Sequence, residues 1–407
     1  MVINLFVGML TARYLGPSNY GLINYAGSIV AFMAPIMQLG LGSIMVHELI
    51  QDPDHEGEIL GTSLFMRVCS SLLCIAGVVG FAMIANAGEK ETVLVCSLYS
   101  LALLFQAVEV VSFWFQAKLL SKYTSILMFC AYFVVAAYKV YLLATQKNVY
   151  WFALSHMLDQ MIIAFGCVWI YRKKGGKRFS VSIRRARSLF SRSRYYIVSS
   201  LMVSVFAQTD KIMIKLMLGS AETGFYSTAV TCAGLTSFVF AAIIDSMRPG
   251  IFENKNKSKE AFEEKLTVLY AIVIFLSLAQ SAVMTVLAKL VITVLYGVSY
   301  LPSVSALQIG VWYTTFSYLG AVRNIWILAE NKQKYLWIIN LSGAVANIIL
   351  NYLLIPIWGI NGAAFASLVT QFFTNVVVGY LIPAIRENNR IMISSLNVVR
   401  LLKIIRK

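Results

Sequence analysis

The segment Leu15–Gly21 reads LGPSNYG, and the segment Leu218–Gly224 reads LGSAETG. Each is followed five residues later by alanine, so both match the pattern L-G-x4-G-x4-A. A second pattern, W-x2-A-x4-K-Y, begins at Trp114 and again at Trp326. Two patterns in the same order, about half a chain apart, indicate a duplicated six-helix unit. Turn chemistry alone is the alternative, because glycine permits tight reversals and Trp and Tyr favour membrane interfaces.

The composition places the chain in a membrane. Of its 407 residues, 59% are hydrophobic and 13% are charged, and the mean hydropathy is +0.75. A soluble domain carries about 25% charged residues. Apolar runs long enough to cross about 30 Å of hydrocarbon recur along the chain, and we count eleven complete ones. The chain begins with a shorter apolar run, so we expect a first helix truncated at its N-terminus and twelve transmembrane helices in total.

The net charge of +16 is concentrated in loops. The longest basic stretch, residues 172–194, contains ten Lys or Arg residues and no acid. Because cytoplasmic loops are enriched in Lys and Arg, we expect this stretch and both termini to be cytoplasmic. Nucleic acid is the weaker interpretation of the charge. The loop His47–Glu58 is an exception, since it carries five acids and no Lys or Arg.

These observations predict an all-α polytopic membrane protein with about twelve transmembrane helices in two six-helix lobes. We place an N-lobe at residues 1–171, a basic cytoplasmic linker at 172–194, a C-lobe at 195–384 and a basic amphipathic cytoplasmic tail at 385–407. Copies with an even number of helices share one orientation, which is the parallel-repeat plan of some secondary transporters. A substrate site is then expected between the lobes.

The residues that usually bind metals are dispersed. The six cysteines lie within apolar segments without paired close spacing, and the three histidines are far apart. We therefore predict neither a metal site nor a disulfide framework. The loops on the side expected to be external are short, so any activity must lie within the bundle. We predict a transporter without a cofactor, coupled to H⁺ or Na⁺ if it is coupled at all.

Basic and polar residues inside the predicted spans are candidates for contacting an anionic substrate. A charge at the centre of a span costs about 2.5–3.5 kcal/mol on insertion scales, so it requires a cavity, a partner or an interface. The candidates are Arg67, Lys139, Ser204, Gln208, Lys211, Lys215 and Arg323. The alternative for Lys211 and Lys215 is that their ammonium groups reach the nearby membrane interface.

Ionisable residues inside the spans are candidates for ion coupling. They are Glu109, His156, Asp159 and Asp210. A buried carboxylate can load and release a proton, and the i, i+3 spacing of His156 and Asp159 places both on one helix face. Static ion pairs for the acids, and a simple hydrogen bond between His156 and Asp159, remain open.

Three segments resemble bacterial polysaccharide (O-antigen) flippases of the Wzx type. They are ARYLGPSNYGLINYAGSIVAF at Ala12–Phe32, TDKIMIKLMLGSAETGFYSTA at Thr209–Ala229 and LYGVSYLPSVSALQI at Leu295–Ile309. These flippases form the oligosaccharide branch of the superfamily that also holds the multidrug and toxic compound extrusion (MATE) exporters. The resemblance implies a MATE-like fold that works by alternating access.

The resemblance also implies a substrate, an undecaprenyl-pyrophosphate-linked oligosaccharide used in surface polysaccharide biosynthesis. The protein would move it from the cytoplasmic to the outer leaflet of the bacterial inner membrane. Membrane lipids, a polysaccharide polymerase and glycosyltransferases are candidate partners, nucleic acid is not, and we expect a monomer. The alternatives are a cation-coupled drug or metabolite exporter of the MATE kind, a membrane-embedded enzyme, and a non-transporting component of a polysaccharide assembly complex.

Overall fold

The computed structural model describes residues 2–397, and in this range it contains helices and turns but no strand. The helices are α1 (Val2–Gln38), α2 (Gly42–Gln51), α3 (Glu56–Ala85), α4 (Lys90–Ser100), α5 (Ala102–Gln106), α6 (Ser112–Ala117), α7 (Ser121–Ala144), α8 (Val149–Lys173), α9 (Ile183–Leu218), α10 (Ser220–Ala233), α11 (Ser237–Lys257), α12 (Lys259–Leu295), α13 (Ser303–Ala329), α14 (Leu336–Trp358), α15 (Ile360–Phe372), α16 (Val378–Leu381) and α17 (Arg386–Ser394). Short 3-10 turns link several of them, and a π-helical turn, Phe373–Val377, joins α15 to α16.

Most of the predicted spans are long apolar helices. Within the described residues, nine stretches are long and apolar enough to cross a membrane, and α10 with α11, bent by 41°, makes a tenth if the pair is one span. The helix α13 occupies a further predicted span, but its Ser, Thr and Tyr residues lower its hydropathy. The chain is therefore a multi-pass membrane protein.

Backbone breaks divide some of the predicted helices. The backbone of α1 is non-helical at Gly16, where φ is +71° and Pro17 follows, so the first two predicted helices are joined without a loop. The second one ends at Gln38, earlier than expected, because Leu39 and Gly40 both have positive φ. The span from Lys90 to Ala117 is interrupted after Ser100 and contains a 3-10 turn at Ala107–Val111.

The chain forms two compact units that divide after Gly224. In the first unit, one apolar core lies around Tyr25 and Val78 and another around Trp114 and Leu60. The core of the second unit is built around Trp326 by side chains of α11 to α14, α16 and α17. The dividing point lies inside α10, and α9, which we assigned to the C-lobe, belongs to the first unit.

Two segments expected outside the lobes are helical and packed. Residues 183–194 of the predicted linker form the start of α9, because the Ser182 hydroxyl caps this helix by accepting from the Arg185 backbone N–H at 3.4 Å. The start of the predicted tail forms α17, whose Ile391 and Met392 are buried in the core of the second unit. The basic end of the tail, residues 398–407, lies outside the described residues.

Candidate functional site

A cavity of about 280 Å³ lies inside the first unit, between α1, α4, α7 and α8. It brings together three of the predicted residues, Lys139 from α7 and His156 and Asp159 from α8. Uncharged polar residues that the sequence did not single out complete its lining. They are Thr11, Tyr20, Asn24, Tyr99, Tyr132 and Ser155.

The helices hold these side chains in fixed positions. His156 and Asp159 lie one turn apart on α8, so both face the cavity. The ring of His156 stacks on Tyr99 of α4, with centroids 4.5 Å apart. Gly27 leaves room for Tyr99, since a Cβ there would lie 3.3 Å from the Tyr99 hydroxyl. His156 is therefore held by ring stacking, and the structure shows no hydrogen bond between it and Asp159 among the described residues.

The cavity holds one cationic and one anionic side chain that interact with each other. Lys139 and Asp159 both line it and attract each other electrostatically. The buried Oδ1 atom of Asp159 has no hydrogen-bond partner within residues 2–397. A buried carboxylate with a free oxygen can accept a proton, and the ammonium group beside it favours the charged form of the carboxylate. In the same range, no group of three or more His, Cys, Asp or Glu residues is arranged to hold a metal ion.

The predicted polar face of α9 is attached to the first unit. The Ser204 hydroxyl donates to the carbonyl oxygen of Ala31 in α1 at 2.7 Å. Gln208 and Lys211 are half-buried one and two turns further on, and Lys211 interacts electrostatically with its neighbour Asp210, which is buried.

Lys215 is buried at the end of this face. Its Nζ donates to Glu89 Oε2 at 2.6 Å and lies 5.8 Å from the ring centroid of Tyr25. The Lys215 side chain is 3% exposed, whereas that of Glu89 is 50% exposed. Lys215 thus pairs with an acid that immediately precedes α4.

Arg67, which is buried, and Glu109, which is half-buried, are two further predicted residues of the first unit. Arg67 is 1% exposed, and its guanidinium lies 5.8 Å from the Phe113 ring centroid and interacts electrostatically with Glu109. Its Nε donates to the Gln38 carbonyl at 3.3 Å, at the point where α1 ends. These residues are separate from the cavity lined by Lys139.

Arg323 lies in the second unit, away from Lys139 and Arg67 along the chain. It is 5% exposed, and its Nη1 donates to the carbonyl oxygen of Thr374 at 2.9 Å. Thr374 belongs to the π-helical turn, in which the normal i to i−4 hydrogen bonds are shifted. Arg323 therefore stabilises an irregular turn of its own unit.

The acidic segment His47–Glu58 forms ion pairs with basic residues that come later in the chain. Arg185 donates to Glu58 Oε1 at 3.1 Å and to Asp52 Oδ2 at 3.0 Å, and Arg192 pairs with Glu48. We call these contacts the acid–base clasp. The two segments therefore lie at the same end of the first unit.

Further hydrogen bonds join the start of α3 to the segment between α8 and α9 and to α6. Gly57 accepts from the backbone N–H of Ser180 at 3.1 Å, and Thr62 Oγ1 accepts from the backbone N–H of Ser182 at 3.0 Å. Glu56, which is buried, accepts from the Trp114 indole at 3.0 Å. We did not predict this contact from the sequence, although the opposite charges of segments 47–58 and 172–194 are visible there.

Comparison with known proteins agrees with this architecture. The model of a family described as polysaccharide biosynthesis protein matches residues 10–305. An uncharacterized membrane protein of Methanocaldococcus jannaschii is 26% identical over 271 residues, which are 63% of this chain and 52% of that protein. The chain thus spans about half the length of this curated relative.

Two solved structures resemble the whole chain. The lipid II flippase MurJ in an inward closed conformation has a TM-score of 0.76 at 13% identity, over 97% of this chain and 88% of that one. An inward-facing multidrug resistance MATE transporter of the MOP superfamily has a TM-score of 0.75 at 13% identity, over 97% of this chain and 95% of that one. The predicted all-α, MATE-like fold is confirmed, as is the resemblance to this superfamily. The chain belongs to the polysaccharide biosynthesis protein family and has the fold of MOP-superfamily transporters.

Proposed function

We propose that the protein is a flippase that moves an undecaprenyl-pyrophosphate-linked oligosaccharide from the cytoplasmic to the outer leaflet of the inner membrane by alternating access. The observation that carries this proposal is the match to a polysaccharide biosynthesis family over residues 10–305. A hydrated, anionic sugar headgroup needs such a protein, because polar groups enter bare hydrocarbon at a cost of several kcal/mol, roughly 2–7 for each unpaired group.

We assign ion coupling to the cavity of the first unit. Protonation of Asp159 would remove the negative charge that Lys139 faces, so the cavity would gain one net positive charge. A local charge change of this kind biases a protein that has two conformations. His156, packed on Tyr99, would keep the neighbouring turn of α8 in place while Asp159 changes its charge.

The flippase proposal is tested with purified protein in proteoliposomes that contain the lipid-linked oligosaccharide. We expect the protein to expose the glycan of inner-leaflet substrate to a membrane-impermeant glycosidase added outside. In a deletion strain, lipid-linked repeats should accumulate on the cytoplasmic leaflet. Proteoliposomes in which the glycan stays protected, from a protein that is folded, would refute the proposal.

A charge-neutralising pair of variants tests the coupling role. Asp159→Asn leaves Lys139 without its anionic neighbour, so we expect a loss of about 1–3 kcal/mol of stability and at least about a tenfold loss of pH-gradient-driven flipping. Adding Lys139→Gln should restore stability without restoring the response to a pH gradient. Ser155→Ala, which also alters the cavity lining, is the matched control and should keep that response. A gradient response in the double variant equal to that of the wild type would overturn the assignment.

A cation-coupled exporter is the second candidate function. It is favoured by the likeness of the fold to multidrug resistance MATE transporters. The same proteoliposomes distinguish the two, because an exporter would move a fluorescent organic cation and leave the lipid-linked glycan in place.

A further inference from the structure

Basic side chains at one end of the α7–α8 pair rest on aromatic rings. The ammonium groups of Lys122 and Lys174 lie 5.2 and 4.7 Å from the centroid of the Tyr123 ring. Lys173 lies 5.0 Å from the ring of Trp169. We call Lys122, Tyr123, Trp169, Lys173 and Lys174 the basic–aromatic cluster.

The turn after α8 fixes this cluster in place. Gly175 has a φ of +83°, and the backbone N–H of Gly176 donates to the Tyr171 carbonyl at 3.0 Å. This is a Schellman-type helix end, which needs a residue able to adopt positive φ. Phe179 then stacks on the buried Tyr171, with ring centroids 5.1 Å apart. The chain therefore returns over the end of α8, and Lys173 and Lys174 are held at the turn.

The lysines of the cluster differ from the basic residues of the acid–base clasp, which pair with acids. Lys177, Arg185 and Arg192 pair with acids of the loop 47–58. None of the three lysines of the cluster forms an ion pair with an acid among the described residues. Lys122, Lys173 and Lys174 are also exposed. Three positive charges are thus available to an anion from outside the chain.

An exposed aromatic face continues from the cluster along the same two helices. Phe129 and Phe133 on α7 and Phe165 on α8 are 65%, 59% and 65% exposed. Large apolar side chains on a transmembrane helix surface contact hydrocarbon. A phosphate group bound at the cluster would therefore have its lipid tail alongside this face.

We propose that the basic–aromatic cluster is a docking site for a lipid pyrophosphate, with the pyrophosphate on the three lysines and the polyprenyl tail along α7 and α8. This proposal deepens the proposed flippase function and rests on it for the identity of the lipid. A pyrophosphate is favoured over a phospholipid, because it carries more negative charge to match two ammonium groups over one ring and a third on the adjacent residue.

The duplicated motif supplies a matched control. Lys122–Tyr123 ends the first copy of W-x2-A-x4-K-Y, and Lys334–Tyr335 ends the second. Lys334 lies 5.3 Å from the Tyr335 ring centroid, in the same arrangement as Lys122 and Tyr123. Among the described residues no second lysine lies over the Tyr335 ring. Lys334 thus shares the motif and an exposed positive charge with Lys122, but it lies outside the basic–aromatic cluster.

The experiment measures lipid binding by the intact protein in phosphatidylcholine nanodiscs. The probe is undecaprenyl pyrophosphate without a glycan, and phosphatidylglycerol is the competing anionic lipid. We expect the wild type to retain the pyrophosphate in preference to phosphatidylglycerol. The triple variant Lys122→Gln, Lys173→Gln, Lys174→Gln should bind it at least about tenfold more weakly, since each lysine near an anionic headgroup contributes on the order of a fourfold to sixfold factor. The triple Lys→Arg variant should keep most of the binding, and Lys334→Gln should bind like the wild type.

Several results would overturn the docking site. They are equal retention of both lipids by the wild type, unchanged binding by a folded triple Gln variant, or an equal loss of binding in Lys334→Gln. The glycosidase assay is read separately on the same proteins. Flipping by the wild type together with unchanged binding by the triple Gln variant would refute the docking site alone, whereas an absence of flipping by the wild type would refute the proposed function.

Discussion

At the scale of single residues, Lys215 shows how a cation is accommodated in the end of an apolar helix. Its partner Glu89 is 126 residues earlier in the chain, and the Thr92 hydroxyl donates to the same Glu89 oxygen at 2.6 Å. The hydrogen bond from Lys215 holds the pKa of the Glu89 carboxyl below its ordinary value of 4.5. Because the folded pKa is depressed, this stabilisation is complete above about pH 4.5 and is lost as the pH falls through the lower, folded pKa.

The variant Glu89→Gln should therefore destabilise the protein at neutral pH and lose its effect in acid. We expect a loss of about 1 kcal/mol at pH 7, because the buried ammonium of Lys215 is left without its anion. Thermal unfolding in detergent, measured at pH 7 and near pH 3, gives the comparison. Glu91→Gln is the control, because Glu91 accepts from the Tyr150 hydroxyl and forms no ion pair among the described residues. An equal loss of stability in Glu89→Gln at both pH values would contradict this account.

The sequence predicted some residues of the cavity but not the residues that they contact. The charge of Lys139 and Asp159 within apolar spans marked them as candidates, and both line the cavity. Tyr99 and Asn24 carry no charge, so nothing local distinguishes them from other polar residues in membrane helices. Their positions depend on how α1 and α4 pack against α8, and a single sequence holds no direct record of that packing.

At the scale of elements, a proline in α1 leaves a backbone carbonyl free to bind α9. Pro35 has no N–H, so it cannot donate to the carbonyl of Ala31 four residues earlier. That carbonyl instead accepts from the Ser204 hydroxyl at 2.7 Å. The proline thus creates an acceptor in α1, and the serine of another helix satisfies it.

A double-mutant cycle tests this relation. Ser204→Ala should cost about 1–2 kcal/mol, because the Ala31 carbonyl loses its donor inside the protein. In a Pro35→Ala background the helix can restore its own hydrogen bond, so Ser204→Ala should then cost little. Chemical or thermal unfolding of the four proteins gives the coupling energy. Additive effects would show that Pro35 and Ser204 act independently.

The acid–base clasp should control access to the segment between α8 and α9. Arg185→Gln removes contacts to Glu58 and Asp52, and we expect several-fold faster trypsin cleavage after the exposed Arg178 or Arg184. Arg187→Gln removes an equal charge from an exposed position and should leave the rate unchanged. Added salt should speed cleavage of the wild type, because it screens partly exposed ion pairs. Equal cleavage rates in the wild type and Arg185→Gln would show that backbone packing alone holds the segment.

At the scale of the whole molecule, the two copies of L-G-x4-G pack against each other reciprocally. A methyl group on Gly21 would overlap the carbonyl oxygen of Ser220, and one on Gly224 would overlap that of Pro17. Pro17 and Ser220 hold the same position in the two copies, as do Gly21 and Gly224. This reciprocity is the behaviour of two related segments about a local two-fold axis, and it favours duplication over coincidence of turn residues.

Gly21→Ala and Gly224→Ala should each disrupt this close approach. We expect a loss of about 1–3 kcal/mol or a rearranged crossing for either variant, and similar defects in both, because the two contacts are related by symmetry. Gly80→Ala is the control, since its methyl group would meet no atom within 4 Å. Thermal unfolding and the glycosidase assay measure the effect. A wild-type-like Gly21→Ala protein beside a defective Gly224→Ala protein would contradict the symmetric description.

Hydropathy made the helices and the all-α class predictable, because membrane insertion is decided largely within each segment. The boundary between the two units was harder to predict from the sequence. The chain changes unit after Gly224, beyond α9, because contacts such as Ser204 with Ala31 join α9 to the first unit. This contact joins positions that are 173 residues apart, and no local property of either position predicts it.

The acid–base clasp also has a consequence for biosynthesis. Glu58 and Arg185 are 127 residues apart, and Glu48 and Arg192 are 144 apart. When the ribosome has made the acidic loop, its basic partners have not yet been translated, so the loop must be retained on its side of the bilayer without them. Insertion of the early helices therefore depends on signals other than this pairing, which can form only after Arg185 has been translated.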